Sequence, residues 1–233
     1  MTYFYLTANF TQTYSEVPLV FFYGGAWEAG DRGDYRFVAQ AFTALGYQVV
    51  IPDYRVYPDG LFPEFMSDAA QAVRWVANNT SDNVVLMGHS AGAHIAALLA
   101  LDTQHLEQLG VSQKRIAGLV GLSGPYDFLP LNSSRLQAIF SAAEDINSTQ
   151  PINFVTASAP PALLLHGSDD TTVKPFNSKR LAKELSDVGV SARMISYPNA
   201  GHAVTVGALS IPLRHRLSVL QDIDDFFQGI DSK

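Results

Sequence analysis

Apolar residues in this chain gather into short runs, and several of the runs are too short to be buried helices. Leu19 to Tyr23, Gln48 to Ile51, Val84 to Met87 and Ala162 to His166 are β-branched, aromatic or leucine-rich, and each stops at Gly or Pro. Such runs predict strands covered on both faces. Ile116 to Leu122 and Ala192 to Tyr197 fit the same description less cleanly. Between the runs, Tyr35 to Leu45, Pro63 to Asn78, Ala93 to Leu109 and Asn177 to Val188 carry apolar residues at spacings of three and four, which predicts helices. An amphipathic helix is expected near Leu213 to Gln228. Strand and helix therefore alternate, and the predicted class is α/β: a mainly parallel central sheet with helices on both faces.

Composition narrows the picture. The 233 residues are 47% hydrophobic and 16% charged, enough for one buried core and short for two, so residues 1–233 are expected to form one domain. One stretch, Pro125 to Pro160, breaks the rhythm: it is polar, rich in Ser and Asn, and only weakly periodic around Leu136 to Ala143. It is expected to form either a small lid over the site or a surface excursion with one short helix. The net charge is −7 and the 15 Lys and Arg are scattered, which argues against a nucleic-acid partner. There is no cysteine, so disulfides, thiolate metal ligands and cysteine nucleophiles are excluded. No window reaches the roughly 18 consecutive apolar residues of a membrane span. Met1 to Tyr14 lacks the charged flank and apolar stretch of a leader, which predicts a cytoplasmic location; a secreted or periplasmic one would follow only from a longer chain. Monomer and homodimer both stay open.

The chemistry sits just beyond the predicted strand ends, where parallel sheets bind ligands. After Val84 to Met87 comes Gly88-His89-Ser90-Ala91-Gly92, and then an apolar helical stretch. A serine on a strained strand-to-helix turn needs small neighbours, and the N–H of the following residue, Ala91, then faces a reacting carbonyl. Ser90 is the candidate nucleophile. A serine hydroxyl needs a histidine base held by a carboxylate, and on a sheet of this kind the order along the chain is serine, acid, histidine. His89, His94 and His105 come too early. His202, in the loop after Ala192 to Tyr197, is the candidate base, whereas His215, between two arginines, reads as part of a solvated helical face. Asp169 and Asp170 follow the strand ending at His166, and spacing does not choose between them; His166 is expected to pack at the strand end. After Leu19 to Tyr23 comes Gly24-Gly25-Ala26-Trp27, whose small residues let backbone N–H groups approach an oxyanion. Gly24, Trp27 and His89 are candidates for the substrate pocket, with Trp27 either walling it or covering the loop. There is no His-Glu-x-x-His and no dinucleotide fingerprint after the first strand, so neither metal nor organic cofactor is expected.

With these residues in place the chain resembles a known group. Phe21-Phe22-Tyr23-Gly24-Gly25-Ala26-Trp27 with Gly30-Asp31-Arg32, Asp53-Tyr54-Arg55-Val56-Tyr57-Pro58, and His166-Gly167-Ser168-Asp169-Asp170-Thr171-Thr172-Val173 resemble, in order, motifs of the esterase and lipase group of the α/β-hydrolase superfamily. That group includes hormone-sensitive-lipase-like and feruloyl-esterase-like carboxylesterases. The resemblance implies the α/β-hydrolase fold, Asp170 as the acid, and Gly25, Ala26 and Ala91 as the oxyanion hole. It also implies hydrolysis of a small or short-acyl ester through an acyl-enzyme, with an aryl-formamidase, a prolyl-peptidase-like hydrolase and a non-catalytic binding module as alternatives. Two positions depart from the pattern: Tyr23 stands where the group has His, and Ala26 replaces a third Gly. The part before the loop is short, leaving Tyr3 to Ala8 to supply any preceding strand. Asp53 and Arg55 are expected to brace the loops beneath the site.

Overall fold

The computed structural model describes residues 3–6, 17–80 and 83–231, without the side chains of 3–6 and 231. Thr7, Ala8 and most of Met1 to Tyr14 lie outside the described residues. Among the described residues, seven strands form one sheet: β1 (Tyr3–Leu6), β2 (Leu19–Phe22), β3 (Val49–Pro52), β4 (Val84–His89), β5 (Ile116–Leu122), β6 (Ala162–Gly167) and β7 (Ala192–Tyr197), in the order β1-β3-β2-β4-β5-β6-β7. β1 runs antiparallel to β3 and the other six are parallel. All positions of β2, β3, β4 and β6 are buried, which requires cover on both faces. β7 is only partly buried, as an edge strand should be, and this is why its sequence reads less cleanly.

Among the described residues, eight α-helices accompany the sheet: α1 (Arg36–Thr43), α2 (Glu64–Asn79), α3 (Ala91–Leu101), α4 (Gln104–Glu107), α5 (Ser134–Ile139), α6 (Phe176–Asp187), α7 (His202–Gly207) and α8 (Val219–Asp231). α1 and α8 meet through Phe42, Tyr47 and Phe227. α3 is buried at every position, so its apolar surface runs all the way round; it is the central helix of the molecule. None of the described helices is long and apolar enough to cross a membrane.

Two helix boundaries differ from the sequence expectation. The helix expected over Ala93 to Leu109 is two helices, because Asp102 turns extended (φ −86°, ψ 103°) and its Oδ1 accepts the Gln104 N–H at 3.1 Å, starting a new helix. The final helix begins at Val219. Ile211 to Arg216 forms turns instead, so His215 is exposed there and not on a helical face.

The strand order places the site. From β2 the chain goes first to β3 on one side and then to β4 on the other, so the loops after β2 and β4 diverge around one crevice, the kind of switch point where such sheets hold ligands. Phe22 pairs with Gly88, which sets Tyr23-Gly24 beside His89-Ser90. At the other end Gly167 pairs with Tyr197, setting the Asp170 loop beside Pro198 to His202. The approach of β2, β4 and α3 is too close for side chains: a Cβ on Gly92 would lie 2.0 Å from the Phe22 carbonyl oxygen, and one on Gly88 would lie 2.2 Å from that of Gly92.

The segment from Pro125 to Pro160 contains α5 and two 3-10 turns, Ile146–Thr149 and Pro151–Phe154. Buried polar side chains fasten it. Asn177 Oδ1 accepts the N–H groups of Tyr126 and Asp127, both at 2.9 Å, and Gln150 Oε1 accepts that of Phe128 at 2.7 Å.

Gly92→Ala should destabilise the protein by about 3 kcal/mol, because the new methyl overlaps a backbone atom that has no room to retreat. Gly229, with open space around its Cβ position on α8, is the contrast. Gly229→Ala should stabilise by about 0.5–1 kcal/mol. Urea unfolding midpoints of the two variants test both expectations.

Candidate active site

Ser90 occupies the turn between β4 and α3 with φ 54° and ψ −120°, a left-handed conformation that costs a non-glycine residue about 1–3 kcal/mol. Its N–H is held by the Leu122 carbonyl at 2.9 Å. The turn lifts the side chain out of the strand's alternation and aims it at His202, whose Nε2 lies 2.9 Å from Ser90 Oγ. On the other side of the ring, His202 Nδ1 lies 2.7 Å from Asp170 Oδ2. The carboxylate can only accept, so Nδ1 carries the proton and the bare Nε2 accepts the serine hydroxyl. His202 opens the short helix α7, one residue beyond the loop in which the sequence places it.

Asp170, 2% exposed, has every lone pair engaged. Oδ1 accepts the N–H groups of Thr172 and Val173, both at 2.9 Å, while Oδ2 accepts from His202 and, at 3.2 Å, faces His166 Nε2. Burial works to raise the pKa of this carboxyl, but the hydrogen bonds from His202 and Val173 and the nearby imidazoles outweigh it and hold the group below its ordinary value. Asp169 is exposed and its Oδ1 accepts the Ser168 hydroxyl at 2.7 Å. Of the two adjacent acids, only Asp170 reaches the histidine.

Between β2 and α1, Gly25 (φ 139°), Ala26 (φ 53°) and Trp27 (φ 59°) form a tight left-handed turn closed by the N–H groups of Glu28 and Ala29 on the Gly25 carbonyl, both at 3.0 Å. Alanine thus takes the third-glycine position with its backbone still left-handed. Among the described residues, the N–H groups of Gly25, Ala26 and Ala91 donate to no protein acceptor. That leaves them free for an oxyanion, and Ala91 adds the positive end of α3.

Ser90 and Ala26 border a cavity of about 450 Å³. Trp27, Phe128, Leu136, Val173 and Phe176 give it an apolar wall, and Lys174 and Asn132 supply polar groups. Trp27 therefore walls the pocket. Its indole N–H donates to His94 Nδ1 at 3.3 Å, and its ring packs on Phe128 and Phe140. The Pro125 to Pro160 segment contributes Pro125, Asp127, Phe128, Leu129, Asn132 and Leu136, forming one side of the cavity. Gly24 and His89, expected in the pocket, do not line it. His89 is the last residue of β4, and its ring nitrogens face the Tyr35 hydroxyl and the His202 carbonyl rather than the cavity that Ser90 borders. It lies behind the loop, 5% exposed, with Gly24 packed against it.

Two further histidines, His166 and His94, touch the residues of the site. His166 does pack at the end of β6, but it also touches the acid: Val173 O accepts from its Nε2 at 2.9 Å, Asp170 Oδ2 shares that proton, and Ser178 Oγ lies 2.7 Å from its Nδ1. Its spacing of four from Asp170 was the available signal. His94 bridges Trp27 to the Thr149 carbonyl, 2.7 Å from its Nε2, and so ties the pocket wall to the excursion. Burial pushes the pKa of His94 down to about 4 and that of His89 to about 3, so both are neutral near pH 7. Beneath the loops, Arg32 pairs with Asp53 at 2.8 Å, and Arg55 pairs with Asp68 at 2.8 Å and Glu64 at 3.2 Å. No cluster of three or more metal-ligating side chains occurs among the described residues.

A family model described as BD-FAE matches residues 4–185. The isoprenylcysteine alpha-carbonyl methylesterase of Arabidopsis thaliana is 30% identical over 211 residues, 79% of this chain and 49% of that protein. Esterase LipC of Mycobacterium tuberculosis is 27% identical over 86% of this chain and 57% of its own length. The chain spans about half the length of the curated relatives it matches. Among solved structures, esterase 2 of Thermogutta terrifontis superposes with a TM-score of 0.82 at 22% identity, covering 98% of this chain and 89% of that one; the same esterase has also been solved with propionate and with butyrate bound. The shared fold is the α/β-hydrolase fold.

The buried neutral histidines carry a pH dependence. Between pH 6.5 and 4 the unfolded chain binds protons that folded His94 and His89 refuse, so each lowers stability by up to about 1.4 kcal/mol per pH unit as the pH falls. Above pH 6.5 neither contributes. Urea unfolding from pH 7.5 to 4.5 should show His94→Gln losing stability less steeply than wild type, by about one proton; equal slopes would place His94 outside the buried neutral set.

Proposed function

Because the chain belongs to the BD-FAE family, we propose that it is a serine carboxylesterase that hydrolyses small or short-acyl esters through an acyl-enzyme. The observation that carries this reading is the unbroken hydrogen-bond chain from Ser90 through His202 to Asp170, at 2.9 and 2.7 Å, opening on an apolar cavity.

In this mechanism His202 Nε2 takes the hydroxyl proton as Ser90 Oγ attacks the acyl carbon. Asp170 stays ionised and stabilises the imidazolium. The N–H groups of Gly25, Ala26 and Ala91 receive the charge that develops on the carbonyl oxygen, which is worth about 3–4 kcal/mol per donor in the transition state. His202 then returns the proton to the departing alkoxide, and a water activated by the same ring hydrolyses the acyl-enzyme. The strained backbone at Ser90 and at Ala26 and Trp27 fixes nucleophile and donors before substrate arrives, so little reorganisation is left for the transition state.

Trp27 and Phe128 stack with ring centroids 5.8 Å apart, and Phe140 packs behind them, which closes that side of the 450 Å³ cavity. A chain of two to four carbons, the size of the propionate and butyrate held by the Thermogutta esterase, suits this space. The methyl-ester activity named for the Arabidopsis relative is also compatible with a small group on one side of the scissile bond.

Wild-type protein should hydrolyse p-nitrophenyl acetate and butyrate and lose kcat/KM progressively toward the octanoate. Ser90→Ala should lower kcat by at least about 10⁴, and Asp170→Asn by about 10⁴, since an amide cannot hold His202 in the tautomer required. Steady-state kinetics on this series is the test. Equal rates for wild type and Ser90→Ala would end the proposal.

A further inference from the structure

Behind the oxyanion loop, three elements far apart in sequence meet through two side chains. The Gly24 N–H points at Tyr35 Oη, 3.2 Å away. Tyr35 Oη is 3.3 Å from His89 Nδ1, and His89 Nε2 is 3.4 Å from the His202 carbonyl oxygen. The His89 and His202 rings lie 5.0 Å apart between centroids. We propose that Tyr35 and His89 are positioning residues, forming one directed hydrogen-bond relay that fixes the oxyanion loop against the serine turn and the base. The proposal rests on Ser90, His202 and the loop acting as described above.

The direction of each bond is determined. A carbonyl only accepts, so His89 Nε2 carries the proton that faces His202. Burial keeps the His89 imidazole neutral, which leaves Nδ1 bare and obliges the Tyr35 hydroxyl to donate to it. The phenolic oxygen then receives the Gly24 N–H. Each group in the relay has one role, and each end is backbone: one belongs to the loop whose next N–H groups are free, the other to the residue that bears the base.

Tyr35 is itself held in place. Its ring stacks between Tyr23 at 6.1 Å and Phe37 at 5.8 Å, and packs on Phe21 at 5.5 Å. Tyr23, although adjacent to the loop in sequence, points its hydroxyl at Tyr54: the Tyr23 Oη lies 3.4 Å from both the Tyr54 N–H nitrogen and its carbonyl oxygen. Loop support therefore falls to Tyr35. Gly24 is buried, so without Tyr35 Oη its N–H would have no acceptor, and the turn carrying Gly25 and Ala26 would be free to rotate away from the carbonyl oxygen.

The test compares wild type, Tyr35→Phe, His89→Leu, the double variant and His89→Gln in p-nitrophenyl butyrate hydrolysis, with thermal unfolding measured alongside. Tyr35→Phe should lower kcat about tenfold and leave KM within about twofold, since donor geometry matters in the transition state more than in ground-state binding. His89→Leu should lose a similar factor, and the double variant should lose no more than the larger single loss, because one relay is broken only once. Gln presents an N–H to the His202 carbonyl and an oxygen to Tyr35, so His89→Gln should recover most of what His89→Leu loses. Multiplying losses in the double variant, or Tyr35→Phe retaining kcat within twofold while Ser90→Ala is inactive, would overturn the relay alone. Inactivity of wild type would overturn the reading of Ser90 on which it rests. Should His89→Leu fail to fold, Tyr35→Phe, which deletes one oxygen, and His89→Gln still decide the matter.

Discussion

The contact of Gly92 with the Phe22 carbonyl is the constraint on which the site is built. With no side chain on Gly88 or Gly92, the first turn of α3 can lie directly on the ends of β2 and β4, and this draws the chain at Ser90 into its left-handed turn. Three consequences follow from that one approach. The serine is lifted out of the strand's alternation, the Ala91 N–H and the positive end of α3 face the same point, and the loop leaving β2 is brought alongside with its own N–H groups free. The backbone strain is held by a helix and strands that are buried throughout.

Around this centre the molecule uses histidine in two opposite ways. His202, partly exposed at the start of α7, is set between an acceptor-only carboxylate and a hydroxyl, so that it can gain and lose a proton. His89, His94 and His166 are buried, with burial lowering the pKa of each, and serve as fixed donor–acceptor bridges. Each donates to a backbone carbonyl and accepts at its other nitrogen, which locks the tautomer. His94 joins the Trp27 wall to the Thr149 turn, His166 joins Asp170 to its own loop, and His89 lies between Tyr35 and the His202 carbonyl. A buried imidazole suits this work because its two nitrogens lie on opposite edges of a rigid ring and can satisfy two partners at once.

Much of the fold was legible because it is locally encoded. Ile116 to Leu122 and Ala192 to Tyr197 are strands over those residues, and the other predicted strands shift by at most two residues at an end. Leu19, Val49 and Ala162 sit in runs whose continuous apolar character reports burial on both faces whatever the partner strand is. The helix boundaries were less legible, since Asp102 both ends one apolar run and starts the next helix, and the turns from Ile211 to Arg216 share the apolar spacing of the helix they precede. The choice between Asp169 and Asp170 came from a resemblance. Physically it depends on which carboxylate the turn after β6 points toward the end of β7, and spacing is blind to that.

The sequence by itself determined the class of fold, the turn at Ser90, the small-residue loop after β2 and the order of serine, carboxylate and histidine, because glycine approach, strand burial and helix starts are set within a few neighbouring residues. Only the tertiary structure decided that His89 faces away from the pocket, that Trp27 walls it, and that Tyr35 meets His89, His94 meets Trp27 and His166 meets Asp170. Tyr35 and His89 are separated by 54 residues and His94 and Thr149 by 55, so no local pattern relates them. They meet because strand order and register bring the carboxyl ends of β2, β4, β6 and β7 to one edge of the sheet, where the partner of a buried polar atom is fixed by packing.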